Sequence, residues 1–161
     1  IDTEDHPIIN EMARLLDIDF ENYLPSEKPY LTTDQLKEFS QHGFIIGGHG
    51  NKHHYFKNLS FDDQLKEVKT SMDWINSNFP NQPKFFAFPF TDVGVNRNLF
   101  EQIIKNKIAD LTFGTSGLRL SIIPTHFQRI PMEVNKTSSR IIVGGEILYY
   151  LAKQFFGIKR I

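Results

Sequence analysis

One segment of the chain joins an apolar run to a cluster of histidines, and it reads Gly43-Phe44-Ile45-Ile46-Gly47-Gly48-His49-Gly50-Asn51-Lys52-His53-His54. The apolar residues predict a short buried strand, and the glycines that follow allow a sharp turn out of it. If the backbone then turns helically, His49 and His53 lie on one face and both imidazoles reach one divalent ion. The spacing therefore predicts a metal site, although surface or core histidines would give the same pattern.

Helical and strand-like patterns alternate on both sides of this segment. Capping residues and apolar periodicity predict helices at about 7–16, 32–40, from 60 to at least 75, 97–105 and 146–156. Apolar runs predict strands at 44–47, 84–88, 109–113 and about 127–130. Residues 24–30 contain two prolines and are predicted to be a connection. We expect the apolar stripe of the first helix to face a core.

This alternation predicts an α/β fold with mainly parallel strands, in which ligands bind at the carboxyl ends of the strands. The histidine cluster and the loop that begins at Pro89 both fall at such ends. An open sheet and a barrel place the site at the same edge, so the pattern does not separate them. The four or five strands that the sequence indicates are too few to close a barrel.

Composition narrows the possible partners and ligands. The chain has 161 residues, a length typical of one domain, with 18 basic and 19 acidic side chains and no strongly basic block. We therefore expect no nucleic-acid partner, and no apolar run approaches the roughly 20 residues of a transmembrane helix. The absence of cysteine excludes a thiolate metal site and leaves His, Asp and Glu as ligands. The compartment is not identified by these features.

Several motifs occur in an order that resembles a known family. The Gly-rich approach to His49-Gly50-Asn51-Lys52-His53 is similar to a His-Ser/Thr-x-x-His motif, and Phe86-Ala87-Phe88-Pro89-Phe90 is similar to a strand ending in Pro-Tyr or Pro-Phe. These motifs resemble those of the polysaccharide deacetylases, carbohydrate esterase family 4. The turn at 114–117 and the segment 129–132 also look like certain bacterial members, so the resemblance runs from about Tyr30 to the end. It implies part of an irregular (β/α) barrel and metal-dependent removal of N-acetyl or O-acetyl groups from sugars.

The resemblance also implies roles for individual residues. His49 and His53 become ligands of a divalent metal ion, with zinc as the expected ion, and a carbohydrate is the expected substrate. The backbone amide of Phe90 is expected to hold the oxyanion that develops during hydrolysis. Pro89 and the Phe90 side chain are expected to contact the substrate.

Three further residues have alternative roles. Asp92 is either a substrate contact or third metal ligand, or an aspartate that caps its own turn. Arg129 either orients a carboxylate in the site or forms a salt bridge at a strand end. His126 is either the general acid of the reaction or an ordinary, partly exposed histidine.

One family motif does not occur in the sequence. The Thr-Phe-Asp-Asp-Gly motif supplies the general base and a third metal ligand in the family, whereas Asp2-Thr3-Glu4-Asp5 follows no apolar strand. Gly50, Ala87 and Phe90 also stand where the family has a hydroxyl residue, an arginine and a tyrosine. We therefore expect residues 1–161 to form a single truncated deacetylase domain that lacks its first strand or strands and is inactive alone.

Two further expectations follow from this departure. The alternative to an enzyme is a non-catalytic carbohydrate-binding or scaffolding domain that retains the deacetylase fold. An uncovered sheet edge in a truncated domain also predicts that the chain forms a homo-oligomer.

Overall fold

The computed structural model describes residues 6–132 and 137–156. In these ranges the elements follow the order α1 (His6–Leu15), α2 (Phe20–Glu27), α3 (Thr33–Gln41), α4 (Phe61–Asn78), β1 (Phe85–Ala87), α5 (Arg97–Lys105), β2 (Leu111–Gly114), β3 (His126–Gln128) and α6 (Ser139–Phe155). A 3-10 turn, Phe56–Asn58, precedes α4. Among the described residues, no helix has the length and hydropathy needed to cross a bilayer.

The three strands form one small parallel sheet in the order β1-β2-β3. Phe86 pairs with Thr112, and Thr112 pairs with His126 across the next strand. One residue extends this sheet on the far side of β1, because Gly48 forms a parallel bridge with Phe86. The loops that follow Gly48, β1, β2 and β3 therefore leave the sheet at the same edge, as expected for a parallel α/β fold.

The core lies between the sheet and helices α4 and α5. Helix α4 buries Val68, Met72 and Ile75 on one face, which confirms the apolar periodicity of this segment. Phe86 and Phe88 are fully buried and contact each other edge to face, with ring centroids 5.1 Å apart. Burial of each aromatic side chain contributes about 2–3 kcal/mol to folding, so this cluster fixes α4 against the sheet.

Local sequence signals set several helix boundaries correctly. Thr32 and Gln35 form the predicted capping box at the start of α3, and Gly43 follows the end of α3 with a φ of +89°. The Ser60 side chain caps α4 by accepting the Asp63 N–H. The predicted helix at 97–105 is also observed with those bounds.

The predicted buried strand at 44–47 is wrong. Phe44 and Ile45 are exposed, at 61% and 45%, and only the following residue, Gly48, pairs with β1. The side chain of Gln82 hydrogen-bonds to the backbone of Ile46 instead. Its Oε1 accepts the Ile46 N–H at 3.0 Å, and its Nε2 donates to the Ile46 carbonyl. A side-chain amide thus replaces the strand partner that the apolar run predicted.

Three expectations about the outer helices also differ from the structure. Residues 24–30 are not only a connection, because Asp19 caps α2 and the helix accommodates Pro25. The apolar stripe of α1 does not face a core, and Ala13 is its one buried apolar residue. Helix α6 begins at Ser139 rather than Glu146, and it runs through Gly144 and Gly145, where an added Cβ would meet nothing within 4 Å.

Candidate metal centre

The first histidine leaves the sheet from a tightly packed glycine. The Gly48 N–H donates to the Phe85 carbonyl at 2.8 Å, and the Gly48 carbonyl accepts the Ala87 N–H at 2.9 Å. A Cβ at position 48 would lie 2.7 Å from the Met72 sulfur, so only glycine lets the chain approach α4 this closely. The residue that follows, His49, is thereby placed at the carboxyl edge of the sheet.

The loop from His49 to His53 is not helical, in contrast to the expectation from the sequence. Gly50 has a φ of +84° and His53 has a φ of +58°. Non-glycine residues adopt this left-handed region infrequently, and such positions cluster in functional sites. Two left-handed residues, rather than a helical turn, bring the two imidazoles together.

The two rings meet at the atoms that would bind a metal. His49 Nε2 and His53 Nε2 lie 3.1 Å apart, and both side chains are exposed to solvent. A tetrahedral zinc ion with Zn–N bonds of about 2.0–2.1 Å holds two imidazole nitrogens about 3.3 Å apart. The pair therefore fits two ligand positions of one divalent ion.

The hydrogen bonds of His49 set its tautomer. Its Nδ1 lies 2.7 Å from the Ala87 carbonyl, and a carbonyl only accepts, so Nδ1 carries the proton and Nε2 presents its lone pair. Partial removal from water lowers the pKa of His49, the Ala87 hydrogen bond opposes this, and the charges of His53 and Arg129 lower the pKa further. His49 is thus held in the neutral form that binds metals.

The Pro89-Phe90 loop lies directly beside the histidine pair. Phe90 has a φ of +53°, its ring centroid lies 4.5 Å from that of His53, and it stacks on Tyr55 at 4.0 Å with an interplanar angle of 10°. Within residues 6–132 and 137–156, the Phe90 backbone N–H donates to no protein group. The loop thus combines a buried Pro89, an exposed aromatic ring and an unused amide next to the candidate metal ligands.

Asp92 belongs to a separate polar cluster. Its carboxylate accepts from Gln128 Nε2 at 2.7 Å, from His126 Nε2 at 3.1 Å and from the Ser116 hydroxyl at 3.3 Å. Burial alone would raise the pKa of Asp92, but the hydrogen bonds from His126 and Gln128 outweigh it and hold the pKa well below its usual range. Asp92 therefore serves mainly as an ionised partner for β3 and the turn after β2, more than as a cap of its own turn.

His126 is buried, at 5% exposure, rather than partly exposed. Its Nδ1 lies 2.9 Å from the Thr112 hydroxyl and its Nε2 faces Asp92, while its ring packs against Phe88 and Phe100. Both ring nitrogens thus have protein partners in a buried setting, whereas the Nε2 atoms of His49 and His53 contact each other at the surface.

Arg129 binds backbone carbonyls rather than a carboxylate. Its Nε donates to Gly114 at 3.1 Å and its Nη2 donates to Phe88 at 3.3 Å. In the described part of the chain it forms no salt bridge, so neither alternative from the sequence is observed among these residues. The guanidinium still lies near enough to His49 to lower the pKa of that imidazole.

Two residues on α4 support the site and were missed from the sequence. Glu67 accepts the backbone N–H groups of Asn51 and Lys52, and Ser71 accepts the N–H of His49. The sequence did contain a signal for them. Glu67 and Ser71 are four residues apart on the predicted helix and adjoin its apolar stripe, so both could have been expected on one face next to the core. Tyr55 was also missed, because nothing local predicts that it stacks on Phe90.

The described residues supply two candidate metal ligands and no complete set. Within residues 6–132 and 137–156, no group of three or more His, Asp or Glu side chains is placed to hold a metal ion. The structure brings His49, His53, Pro89 and Phe90 together and places Asp92 with His126 in the adjacent cluster. Arg129 binds the Gly114 and Phe88 carbonyls and acts on His49 through its charge.

The fold and this edge define an α/β domain with a histidine pair at the carboxyl end of a parallel sheet. The polysaccharide deacetylase family model matches residues 12–108, and the chain belongs to this family. The match includes the histidine pair and the Pro89-Phe90 loop, and it ends before His126 and Arg129. No curated protein and no solved structure matches the chain. Family membership indicates carbohydrate deacetylase activity in general, in a family that is generally metal-dependent.

Proposed function

We propose that this domain is the metal-binding part of a hydrolase that removes acetyl groups from N-acetylated or O-acetylated sugars of a polysaccharide or glycan. The observation that carries the proposal is the 3.1 Å approach of His49 Nε2 and His53 Nε2 beside the Pro89-Phe90 loop. Zinc is the proposed ion, because neutral imidazoles at this spacing suit its tetrahedral coordination.

Residues beside the proposed metal ion would stabilise the reacting acetyl group and bind the sugar. When bound, a divalent ion supplies Lewis acidity toward an acetyl carbonyl and lowers the pKa of a water molecule. The N–H of Phe90, which has no protein acceptor among the described residues, would donate to the oxygen that gains negative charge. The exposed Phe90 ring, backed by Tyr55, would form an apolar wall against the sugar, whereas Pro89 is fully buried and would contact the sugar only after the loop moves.

The proposed roles of the second cluster require a movement or an indirect effect. His126 as general acid would need its Nε2 to leave Asp92, 3.1 Å away, and reach the departing amine. Asp92 and Arg129 are proposed as substrate contacts through the exposed parts of their side chains. A kcat that falls in His126→Gln while zinc affinity and the folded fraction stay unchanged would support the acid role.

We further propose that residues 1–161 form one domain and that its three parallel strands are part of an irregular (β/α) barrel. Large apolar side chains of α1, α2 and α6 are exposed, including Leu15, Leu24 and Phe155. This exposure agrees with the predicted homo-oligomer. Size-exclusion chromatography with light scattering tests that prediction, and a monomer at all concentrations would contradict it.

The first test of the proposed function is zinc binding. We expect the wild-type chain to bind one zinc ion, and His49→Ala and His53→Ala to lose it. His42→Ala is the matched control, because it removes a histidine at the end of α3 whose Nδ1 bonds to the Glu38 carbonyl of the same helix. Equal zinc stoichiometry in wild type and His49→Ala would overturn the assignment.

The second test measures chemistry on the full protein that the gene encodes. We expect release of acetate from an N-acetylated or O-acetylated glycan, dependent on zinc and on His53.

The alternative function is a non-catalytic carbohydrate-binding or scaffolding domain. It is favoured by one observation, namely that the described residues contain no third ligand beside the histidine pair. Glycan binding without acetate release, in a zinc-loaded full protein, would select this alternative.

A further inference from the structure

Helix α4 contacts the histidine loop through a buried carboxylate. Glu67 is 8% exposed, and its Oε2 accepts the N–H of Asn51 at 2.8 Å and the N–H of Lys52 at 2.9 Å. A buried charge is costly unless hydrogen bonds compensate it, and here both donors come from the segment between the two histidines. A Cβ at Gly50 would lie 3.3 Å from the same oxygen, so the loop closes directly over the carboxylate.

A second α4 side chain holds the start of the loop. Ser71 lies one helical turn after Glu67, and its hydroxyl accepts the N–H of His49 at 3.2 Å. Residues four apart share one face of a helix, so Glu67 and Ser71 present two fixed acceptors to the same stretch of backbone.

These contacts act on backbone groups and leave both imidazoles available. The loop is attached at His49 and again at Asn51 and Lys52, while the two Nε2 atoms remain directed at each other. The helix that carries these acceptors is anchored in the core, because the neighbouring α4 residues Val68 and Met72 are fully buried. The Glu67 oxygen that holds the loop is committed to its amides, so it acts on the histidines through the backbone.

We propose that Glu67 and Ser71 are positioning residues that set the spacing of His49 and His53 for a divalent cation. This inference rests on the proposed metal site and goes beyond it by assigning the residues that preorganise the ligands. Supporting residues behind metal ligands typically change metal affinity by about 10-fold to 100-fold when they are removed.

The test uses zinc alone as the probe and measures its affinity by calorimetry. We expect Glu67→Ala to bind zinc about 10-fold to 100-fold more weakly, and Ser71→Ala to show a smaller loss. Glu67→Gln should fall between wild type and Glu67→Ala, because its amide oxygen still accepts the two N–H groups but lacks the charge. Asp73→Asn and Ser77→Ala are matched controls on the exposed part of α4 and should bind like wild type.

A second readout follows the loop itself. Hydrogen exchange of the Asn51 and Lys52 amides should accelerate in Glu67→Ala and stay slow in Asp73→Asn, because these amides donate to Glu67 and not to Asp73. Partial rescue of both exchange protection and zinc affinity by Glu67→Gln would support positioning over a general loss of stability. If Glu67→Ala does not fold, Glu67→Gln and Ser71→Ala still carry the test.

Three results would overturn the inference in different ways. Unchanged zinc affinity in Glu67→Ala, with wild type binding normally, would refute positioning and leave the proposed metal site intact. Complete loss of zinc in Glu67→Gln, with the two amides still protected, would make Glu67 a direct ligand instead. A wild-type chain that binds no zinc would refute the proposed metal site itself, and this inference with it.

Discussion

The two histidine groups at the carboxyl edge of the sheet differ in how their ring nitrogens are used. His49 and His53 are exposed, and their Nε2 atoms face each other at 3.1 Å. His126 is buried, and its nitrogens face Thr112 and Asp92. The two surface Nε2 atoms contact each other, and a metal ion that binds both can replace that contact, whereas a buried histidine with two protein partners stabilises the fold. The comparison indicates that availability of the ring nitrogens, more than residue type, separates the metal candidates from His126.

The largest expected effect that separates the two groups is on stability without metal. We expect His126→Ala to lower the free energy of unfolding by about 3 kcal/mol, because it leaves a cavity beside Phe88 and Phe100 and removes one of the donors to the Asp92 carboxylate. His53→Ala should cost less than about 1 kcal/mol, since its side chain is exposed. Urea unfolding measures both, with His42→Ala as the control. Equal losses would remove the distinction between the groups.

The second effect is stabilisation by zinc. At a free zinc concentration of 100 times Kd, binding to the native state alone should stabilise the wild type by about 2.7 kcal/mol. We expect this gain to disappear in His49→Ala and His53→Ala and to persist in Asp92→Asn, measured as the rise in Tm on adding zinc. If adding zinc does not raise the Tm of Asp92→Asn, Asp92 is itself a zinc ligand, and the histidine pair and the Asp92 cluster form one site.

The third effect is the acid sensitivity of the Asp92 cluster. The pKa of Asp92 lies below the unfolded value of about 3.9, so the folded state holds fewer protons there than the unfolded state. Its contribution is therefore present above about pH 4 to 5 and is lost as pH falls below about 4 toward the folded pKa. The stability lost on acidification should be smaller in Asp92→Asn than in Asp73→Asn by about 1 kcal/mol. If the free energy of unfolding falls equally with pH in the two variants, the prediction is contradicted.

The smallest effect concerns the charge of Arg129. Arg129 is the last of the influences on the pKa of His49, after burial, the Ala87 hydrogen bond and His53. Removing its charge in Arg129→Gln should raise the pKa of His49 slightly, as followed by NMR titration without metal. Arg129→Lys retains the charge and should keep the wild-type value. A fall in the pKa of His49 in the Arg129→Gln variant would show that Arg129 acts on His49 through the Phe88 and Gly114 carbonyls instead.

Local sequence rules were sufficient where the contacts are close in sequence. The capping residues Thr32 and Ser60 and the period of Val68, Met72 and Ile75 act within one or two helical turns, so they predicted α3 and α4. The same rules failed at 44–47, where an apolar run normally indicates a strand. There, Gln82 binds the Ile46 backbone across 36 residues of sequence, a contact that no local pattern contains.

The candidate site was likewise predicted only in part from the sequence. The sequence alone singled out His49, His53, Pro89 and Phe90, because the order of these motifs along the chain carries the family resemblance. The tertiary structure placed Asp92 with His126 and Gln128, buried His126, and brought Glu67 and Ser71 beneath the histidine loop. The physical reason is range: motifs and caps record interactions between near neighbours, whereas hydrogen bonds between side chains and distant backbone exist only after the sheet and α4 have packed.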